Sequence, residues 1–137
     1  MNFKDFINEG KARKTTPDRL MADSIIRNTL EDLKFLEQTK LTELSKRKLI
    51  VNYYDSLRSL LEAISLLKGY KIYLHEAFSY FLKENLNQDI LALKFERFRK
   101  IRNGLNYYGK SIELKEAEEI IKEIKLVINE IKQKFIK

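Results

Sequence analysis

Residues 114–135 read LKEAEEIIKEIKLVINEIKQKF, and this stretch decides the fold class of the chain. Its apolar residues recur at alternating steps of three and four, which places them on one face of an α-helix. A repeat that continues without a slip is typical of a helix that packs along its whole length in a bundle or coiled coil. Ser111 is the candidate cap of this helix. The members of the stripe are Leu114, Ala117, Ile121, Ile124, Ile128, Ile131 and Phe135, widened by Ile120 and Val127.

The remaining sequence shows the same helical periodicity, with only four glycines and one proline to interrupt it. Thr16 is the expected N-cap of the first long helix, and Pro17 fits its first turn, where its missing N–H is harmless. No strand pattern, internal repeat or domain linker is evident. We therefore predict an all-α protein, an up-and-down helical bundle of four principal helices plus one shorter helix. Besides the last helix, the predicted helices cover residues 17–38, 43–68, 74–84 and 89–106.

Residues 1–14 form a polar, basic lead-in, expected as a short helix or an arm, and residues 15–137 form the predicted single domain. The chain has no cysteine, so thiol chemistry and disulfides are excluded. It has no apolar signal-peptide core and no run of the roughly 18 apolar residues that span a bilayer. A cytoplasmic protein without membrane contact is expected. The net charge of +7 permits polyanionic partners.

Most of that charge lies near the predicted helix at residues 89–106. Between residues 94 and 110 there are six cations and one anion, Glu96, which gives 6 − 1 = 5 of the net +7. A helical wheel places Arg99, Arg102 and Asn106 at the rim of the apolar face, whereas Lys100 points elsewhere. This cluster is either a phosphate-binding site or a solvated basic surface. The predicted apolar face consists of Leu91, Phe95, Phe98, Ile101 and Leu105.

Other chemistries find little support in the sequence. The single histidine, His75, has no partner at metal-ligand spacing, so neither a metal site nor a cofactor is expected. His75 is expected to be a capping, surface or packing residue, although a bundle can bring it near the basic helix. The chain has no glycine-rich phosphate loop and no Gly-x-Ser-x-Gly motif.

The sequence RKIRNGLNYYG at residues 99–109 resembles the signature helix of HEPN domains. These domains are small α-helical bundles with an Arg-polar-x-x-x-His motif near the C-terminal end. NYYDSLRSLLEAI at residues 52–64 and KGYKIYLHE at residues 68–76 resemble the second helix and the following turn of HEPN proteins. The resemblance spans roughly residues 17–135.

The resemblance implies a function in RNA chemistry. Active HEPN proteins are metal-independent endoribonucleases whose arginine binds the scissile phosphate, whose polar residue positions it and whose histidine moves protons. Many are homodimers, and many pair with a minimal nucleotidyltransferase in toxin–antitoxin systems. Arg102 matches the motif arginine, Asn103 the polar residue and Tyr107 the histidine. Tyr107 departs from the pattern, because a phenol is a poor proton shuttle at neutral pH.

Three functions follow from these observations. The first is a binding module that holds RNA or nucleotide phosphate, with catalysis lost or weak and with Tyr107 or Tyr108 stacking on a base. The second is a metal-independent endoribonuclease that uses Arg102. The third is a non-catalytic helical subunit whose basic helix meets an acidic partner protein. For the first function the residues predicted to hold the phosphate are Arg99, Arg102, Asn103 and Asn106, and Tyr108 completes the predicted RNA-binding set.

Overall fold

The computed structural model describes residues 1–136 of the chain. This part confirms the predicted all-α class, with six helices and a two-stranded sheet. α4 continues into a π-helical turn over Phe81–Asn85. None of these helices is long and apolar enough to cross a membrane. The elements in chain order are α1 (Phe3–Asn8), β1 (Ala12–Lys14), α2 (Arg19–Glu37), α3 (Lys46–Leu67), β2 (Tyr70–Ile72), α4 (Ala77–Tyr80), α5 (Asp89–Tyr107) and α6 (Leu114–Phe135).

Helix α3 is the centre of the bundle, because it packs along α2 and α6 and also contacts α5 and β2. Its beginning lies beside the end of α5, where Arg47 Nη1 donates to Asn106 Oδ1 over 3.3 Å. Further along, the ring of Tyr54 stacks on Phe95 of α5 at 5.4 Å between centroids. The two helices therefore run antiparallel. The largest fully buried side chains include Tyr54, Phe6, Phe78, Phe81, Phe95 and Phe98.

The predicted face of α6 is buried from Ala117 to Ile131, and its two end members are half-buried. The predicted caps are wrong at two helices. Glu113, not Ser111, precedes α6, and it makes no side-chain capping hydrogen bond. Helix α2 begins after Asp18, whose carboxylate accepts from the Met21 N–H at 3.0 Å. An Asp at this position satisfies a free amide and complements the helix dipole.

The expectation that the chain has no strand is wrong, since β1 and β2 form an antiparallel pair. Three-residue strands are too short to give a readable alternating pattern. Gly69 makes the pairing possible, because its φ of +85° suits a residue without a Cβ. An added Cβ would lie 2.9 Å from the Thr15 carbonyl oxygen. The lead-in at residues 1–14 thus holds a short helix and a strand, and Phe3 and Phe6 are part of the core.

Candidate functional site

The basic helix α5 is held against α3 by the apolar face that the sequence predicts. Phe95, Phe98 and Leu105 are buried, and Ile101 is half-buried at the edge. The helix ends at Tyr107, and the chain then turns back. Gly109 adopts φ +62°, a conformation that few other residues take up readily. The following N–H, of Lys110, donates to the Gly104 carbonyl over 3.1 Å.

Arg102, Asn103 and Tyr107, the residues predicted from the HEPN resemblance, lie together at the end of α5. The Arg102 side chain is 14% exposed. Its Nη1 donates to Tyr107 Oη over 2.9 Å, and it lies 3.4 Å from Asn103 Oδ1 in a weaker hydrogen bond. The guanidinium carbon lies 5.3 Å from the centroid of the Tyr107 ring and 5.8 Å from that of Tyr54. Cation–π contacts with two rings hold the guanidinium in place without neutralising its charge.

Arg102 keeps unused hydrogen-bonding capacity. Its nearest carboxylate oxygen is Asp55 Oδ1, 3.8 Å from Nη2, which is too far for a hydrogen bond. Its Nε is buried and donates to no described residue. Burial raises the pKa of Asp55 despite the opposing charges of Arg102, Arg58 and Lys48. Because Asp55 lies beyond hydrogen-bonding distance, an incoming phosphate can compete with it for Arg102.

Arg99 lies one turn before Arg102 and is bound to a carboxylate. Its Nε lies 3.2 Å from both carboxylate oxygens of Glu96, and its Nη2 also donates to that group. Ser79 Oγ donates to Glu96 over 2.8 Å. Burial raises the pKa of Glu96, but the hydrogen bonds from Arg99 and Ser79 outweigh burial and lower the pKa overall. Arg99 and Arg102 both lie on the predicted rim, but only Arg99 is hydrogen-bonded to a carboxylate of a described residue.

The other predicted binding residues surround the end of α5. Asn106 accepts a hydrogen bond from Arg47 of α3, whereas Arg102 donates to Asn103 and Tyr107. Tyr107 and Tyr108 are 66% and 74% exposed, and the Arg102 guanidinium lies over one face of the Tyr107 ring. Lys100 is exposed on another face of the helix, in line with the wheel.

The structure brings the single histidine to this site. The predicted helix at residues 74–84 in fact begins at Ala77, which leaves His75 in the turn between β2 and α4. His75 Nδ1 lies 3.4 Å from the hydroxyl of Tyr54, the residue whose ring faces Arg102. Burial raises the pKa of Tyr54, so its hydroxyl stays protonated and can donate to Nδ1. Sequence spacing alone gave no sign of this contact.

The imidazole of His75 is neutral at physiological pH. Burial, together with the positive charges of Arg58, Arg102 and Arg99, lowers its pKa to about 4. Arg58 is a functional candidate that the sequence reasoning missed. It lies one turn after Tyr54 on α3, and its Nη1 donates to Glu62 over 3.2 Å while its buried Nε has no partner among the described residues. Tyr54 and Arg58 are four residues apart, and this spacing could have indicated that they lie on the same face of the helix.

The site can bind an anion beside a neutral imidazole. The three guanidinium groups are balanced by Asp55, Glu62 and Glu96, so binding depends on donor geometry more than on net charge. Residues 1–136 contain no group of three or more His, Cys, Asp or Glu side chains that could hold a metal ion. His75 can take part in proton transfer, and the arginines can stabilise negative charge.

No protein-family model, curated protein or solved structure matches the chain. The similarity to HEPN domains accordingly remains a prediction from the motif and from the order of the helices.

Proposed function

We propose that the chain is a HEPN-like protein that binds RNA or nucleotide phosphate at Arg102, with catalysis lost or weak. Within this proposal it is a homodimeric component of a toxin–antitoxin-type system with a minimal nucleotidyltransferase partner. The dimer and the partner rest on the HEPN resemblance alone. Light scattering of the purified protein and the identity of the neighbouring reading frame test these two points separately from RNA binding.

The environment of Arg102 supports the phosphate site most directly. The side chain is largely buried and positioned by two aromatic rings, yet the nearest carboxylate among residues 1–136 lies 3.8 Å away. A guanidinium with this much unused donor capacity suits the bidentate recognition of phosphate. Arg99 lacks this property because Glu96 already occupies its donors. The proposal therefore centres on Arg102 and not on the basic helix as a whole.

The tyrosines at the end of α5 favour a ligand that carries a base. Tyr107 contributes its hydroxyl to Arg102, while most of its side-chain surface stays exposed. Tyr108 is exposed beside it. Aromatic rings next to a phosphate-binding arginine are the usual platform for unpaired RNA bases. RNA or a nucleotide thus fits better than an inorganic anion.

A binding titration tests the proposal. Fluorescence anisotropy of a labelled single-stranded RNA should show binding that weakens with added salt. Arg102→Ala should abolish most of this binding, while Arg102→Lys should retain only part of it, because lysine cannot donate bidentately. Arg27→Ala removes an exposed arginine of α2 and serves as the matched control. Absence of binding at low ionic strength, or full binding by Arg102→Ala, would refute the proposal.

The position of His75 favours metal-independent RNA cleavage as the second candidate function. A neutral imidazole beside arginines can accept the proton of a ribose 2′-hydroxyl as its oxygen attacks the phosphorus and the P–O5′ bond breaks. The 5′-oxygen leaves with a proton from water, while Arg102 stabilises the charge on the phosphate. Incubation with RNA in EDTA should then give products with 2′,3′-cyclic phosphate ends. His75→Asn and Arg102→Ala should each remove this activity. Cleavage that survives either substitution would contradict the assignment.

A further inference from the structure

We infer that the outward face of the two-stranded sheet is a second binding surface for single-stranded RNA. This surface, called the sheet face below, consists of Lys11, Arg13, Lys71 and Tyr73. The inference rests on the proposed function in that it takes RNA as the ligand. It concerns a different part of the molecule from the Arg102 site, and different substitutions test it.

Strand geometry places these four side chains on one side of the sheet. Ala12 and Ile72 pair across the strands and are buried, so their neighbours along each strand point outward. Arg13 and Lys71 are directly opposite each other and exposed. The Tyr73 N–H donates to the Lys11 carbonyl over 2.9 Å, which extends the ladder by one pair.

The sheet face carries a like-charge pair without a counterion. Cations directly opposite each other on a sheet destabilise it. Within residues 1–136, neither Arg13 nor Lys71 forms a salt bridge, and the one acid that pairs with this face is Glu9, 3.0 Å from Lys11. A bound phosphate would relieve the repulsion between Arg13 and Lys71. Their position therefore points to an anionic ligand more specifically than scattered surface lysines do.

Tyr73 supplies a platform for a base on the same face. It is 54% exposed. Its hydroxyl accepts a hydrogen bond from Arg13 Nε over 2.7 Å, and Lys71 Nζ lies 6.0 Å from the centroid of its ring. Two cations thus fix the ring while much of it remains open. Cationic side chains that can bind phosphate, placed around an exposed aromatic ring, are typical of single-strand binding. This arrangement favours RNA over an acidic protein.

The chain connects the sheet face to the first site. Strand β2 leads through Tyr73 and Leu74 to His75. Tyr73 and His75 are two residues apart, so their Cα atoms are at most about 7.6 Å from each other. A strand of RNA held at the Arg102 site needs only a few more nucleotides to reach Tyr73. The sheet face should therefore matter for longer RNAs and not for the shortest ones.

The experiment compares a labelled trinucleotide with a labelled 12-nucleotide RNA. Lys71→Glu places an opposite charge beside Arg13, so the variant should unfold at a higher temperature than the unaltered protein. The same substitution should weaken binding of the 12-mer about tenfold at 0.15 M salt, with little effect on the trinucleotide. Lys115→Glu makes the same charge change on exposed α6 and should leave both affinities unchanged.

A second substitution tests the stacking platform. Tyr73→Ala should weaken binding of the 12-mer about 5- to 150-fold, and Tyr73→Phe should largely restore it, because phenylalanine keeps the ring. Unchanged 12-mer binding in Lys71→Glu would overturn the inference, and Arg102→Ala then shows separately whether the proposed function stands. Equal losses for both RNAs would also overturn it. Absence of binding by the unaltered protein overturns both.

Discussion

Arg99 and Arg102 lie one turn apart on the same helix, at the same rim of the same core, and their surroundings differ sharply. Arg99 donates to both carboxylate oxygens of Glu96, and Ser79 donates to the same carboxylate. Arg102 lies against the rings of Tyr54 and Tyr107, and the Asp55 carboxylate is 3.8 Å away, beyond hydrogen-bonding distance. Helical position makes an arginine reachable, and the neighbouring carboxylates decide whether it is available. We therefore expect one arginine to serve structure and the other to serve binding.

The largest effect should come from removing the packing that both arginines share. Phe95 is fully buried between Tyr54 and Phe78, with ring centroids at 5.4 and 6.2 Å. Phe95→Ala should lower the free energy of unfolding by about 3–5 kcal/mol, because it leaves a cavity between α3 and α5. Urea denaturation followed by circular dichroism measures this. A loss below about 1 kcal/mol would mean that this contact does not hold α5 in position.

The next effect separates the two arginines in binding. Arg102→Ala should weaken RNA binding by about 10- to 150-fold, which corresponds to about 1.5–3 kcal/mol for hydrogen bonds to a charged group. Arg99→Ala should change the affinity little and should instead reduce stability, because it leaves Glu96 without its partner. Parallel anisotropy titrations and thermal melts give both quantities. Equal losses of affinity in the two variants would remove the distinction between them.

Glu96→Gln should convert Arg99 into an available cation. The substitution keeps the shape of the side chain but removes its charge, and we expect a loss of about 1 kcal/mol in stability. RNA affinity should rise, and the slope of log K against log salt should steepen by about 0.7 if Arg99 gains one phosphate contact. Glu62→Gln, at the carboxylate beside Arg58, is the matched comparison. An affinity that does not rise would indicate that Arg99 cannot reach the ligand.

His75 should also make the stability of the protein depend on pH. Its pKa is about 4 in the folded protein against an ordinary value of 6.5, so the unfolded chain binds more protons between these values. The contribution of His75 to the free energy of unfolding should be fully present above about pH 6.5 and should be lost as the pH falls towards 4. Asp55 acts in the opposite direction, because burial raises its pKa and the folded state then holds the proton more tightly.

Thermal melts between pH 7 and pH 5 measure this dependence. The chain has one histidine, so His75→Asn should flatten the profile in that window. Asp55→Asn should leave the loss towards pH 5 in place or make it larger. A profile that is the same in His75→Asn as in the unaltered protein would show that neither burial nor the arginines lower the pKa of His75.

The helices could be predicted from sequence because apolar residues recur every three or four positions in α5 and α6, and each recurrence indicates the same buried face. The position of Arg102 at the rim follows from that same periodicity. The contact between Arg99 and Glu96 was also readable in principle, since residues three apart on a helix face each other. Its strength depends on Ser79, which comes from another element.

Other features depend on contacts between distant parts of the chain. His75 reaches Tyr54 because Gly69 turns the chain after α3 and because α4 starts at Ala77. The strand pair depends on β1 meeting β2 across that turn, and three residues in each strand leave no usable pattern. Local periodicity carries no information on these contacts, so the position of His75 at the site and the strand pair are seen only in the three-dimensional structure.

The central claim is that Arg102, and not Arg99, receives the phosphate. Spectra of the arginine Nε–Hε groups in ¹⁵N-labelled protein test this directly during titration with a short RNA, with assignments from Arg99→Lys and Arg102→Lys. Phosphate binding changes the surroundings of the whole Arg102 guanidinium, so its Nε–Hε resonance should shift and saturate with the ligand. The resonance of Arg99 should stay in place. A shift of the Arg99 resonance with an unmoved Arg102 resonance would contradict the account.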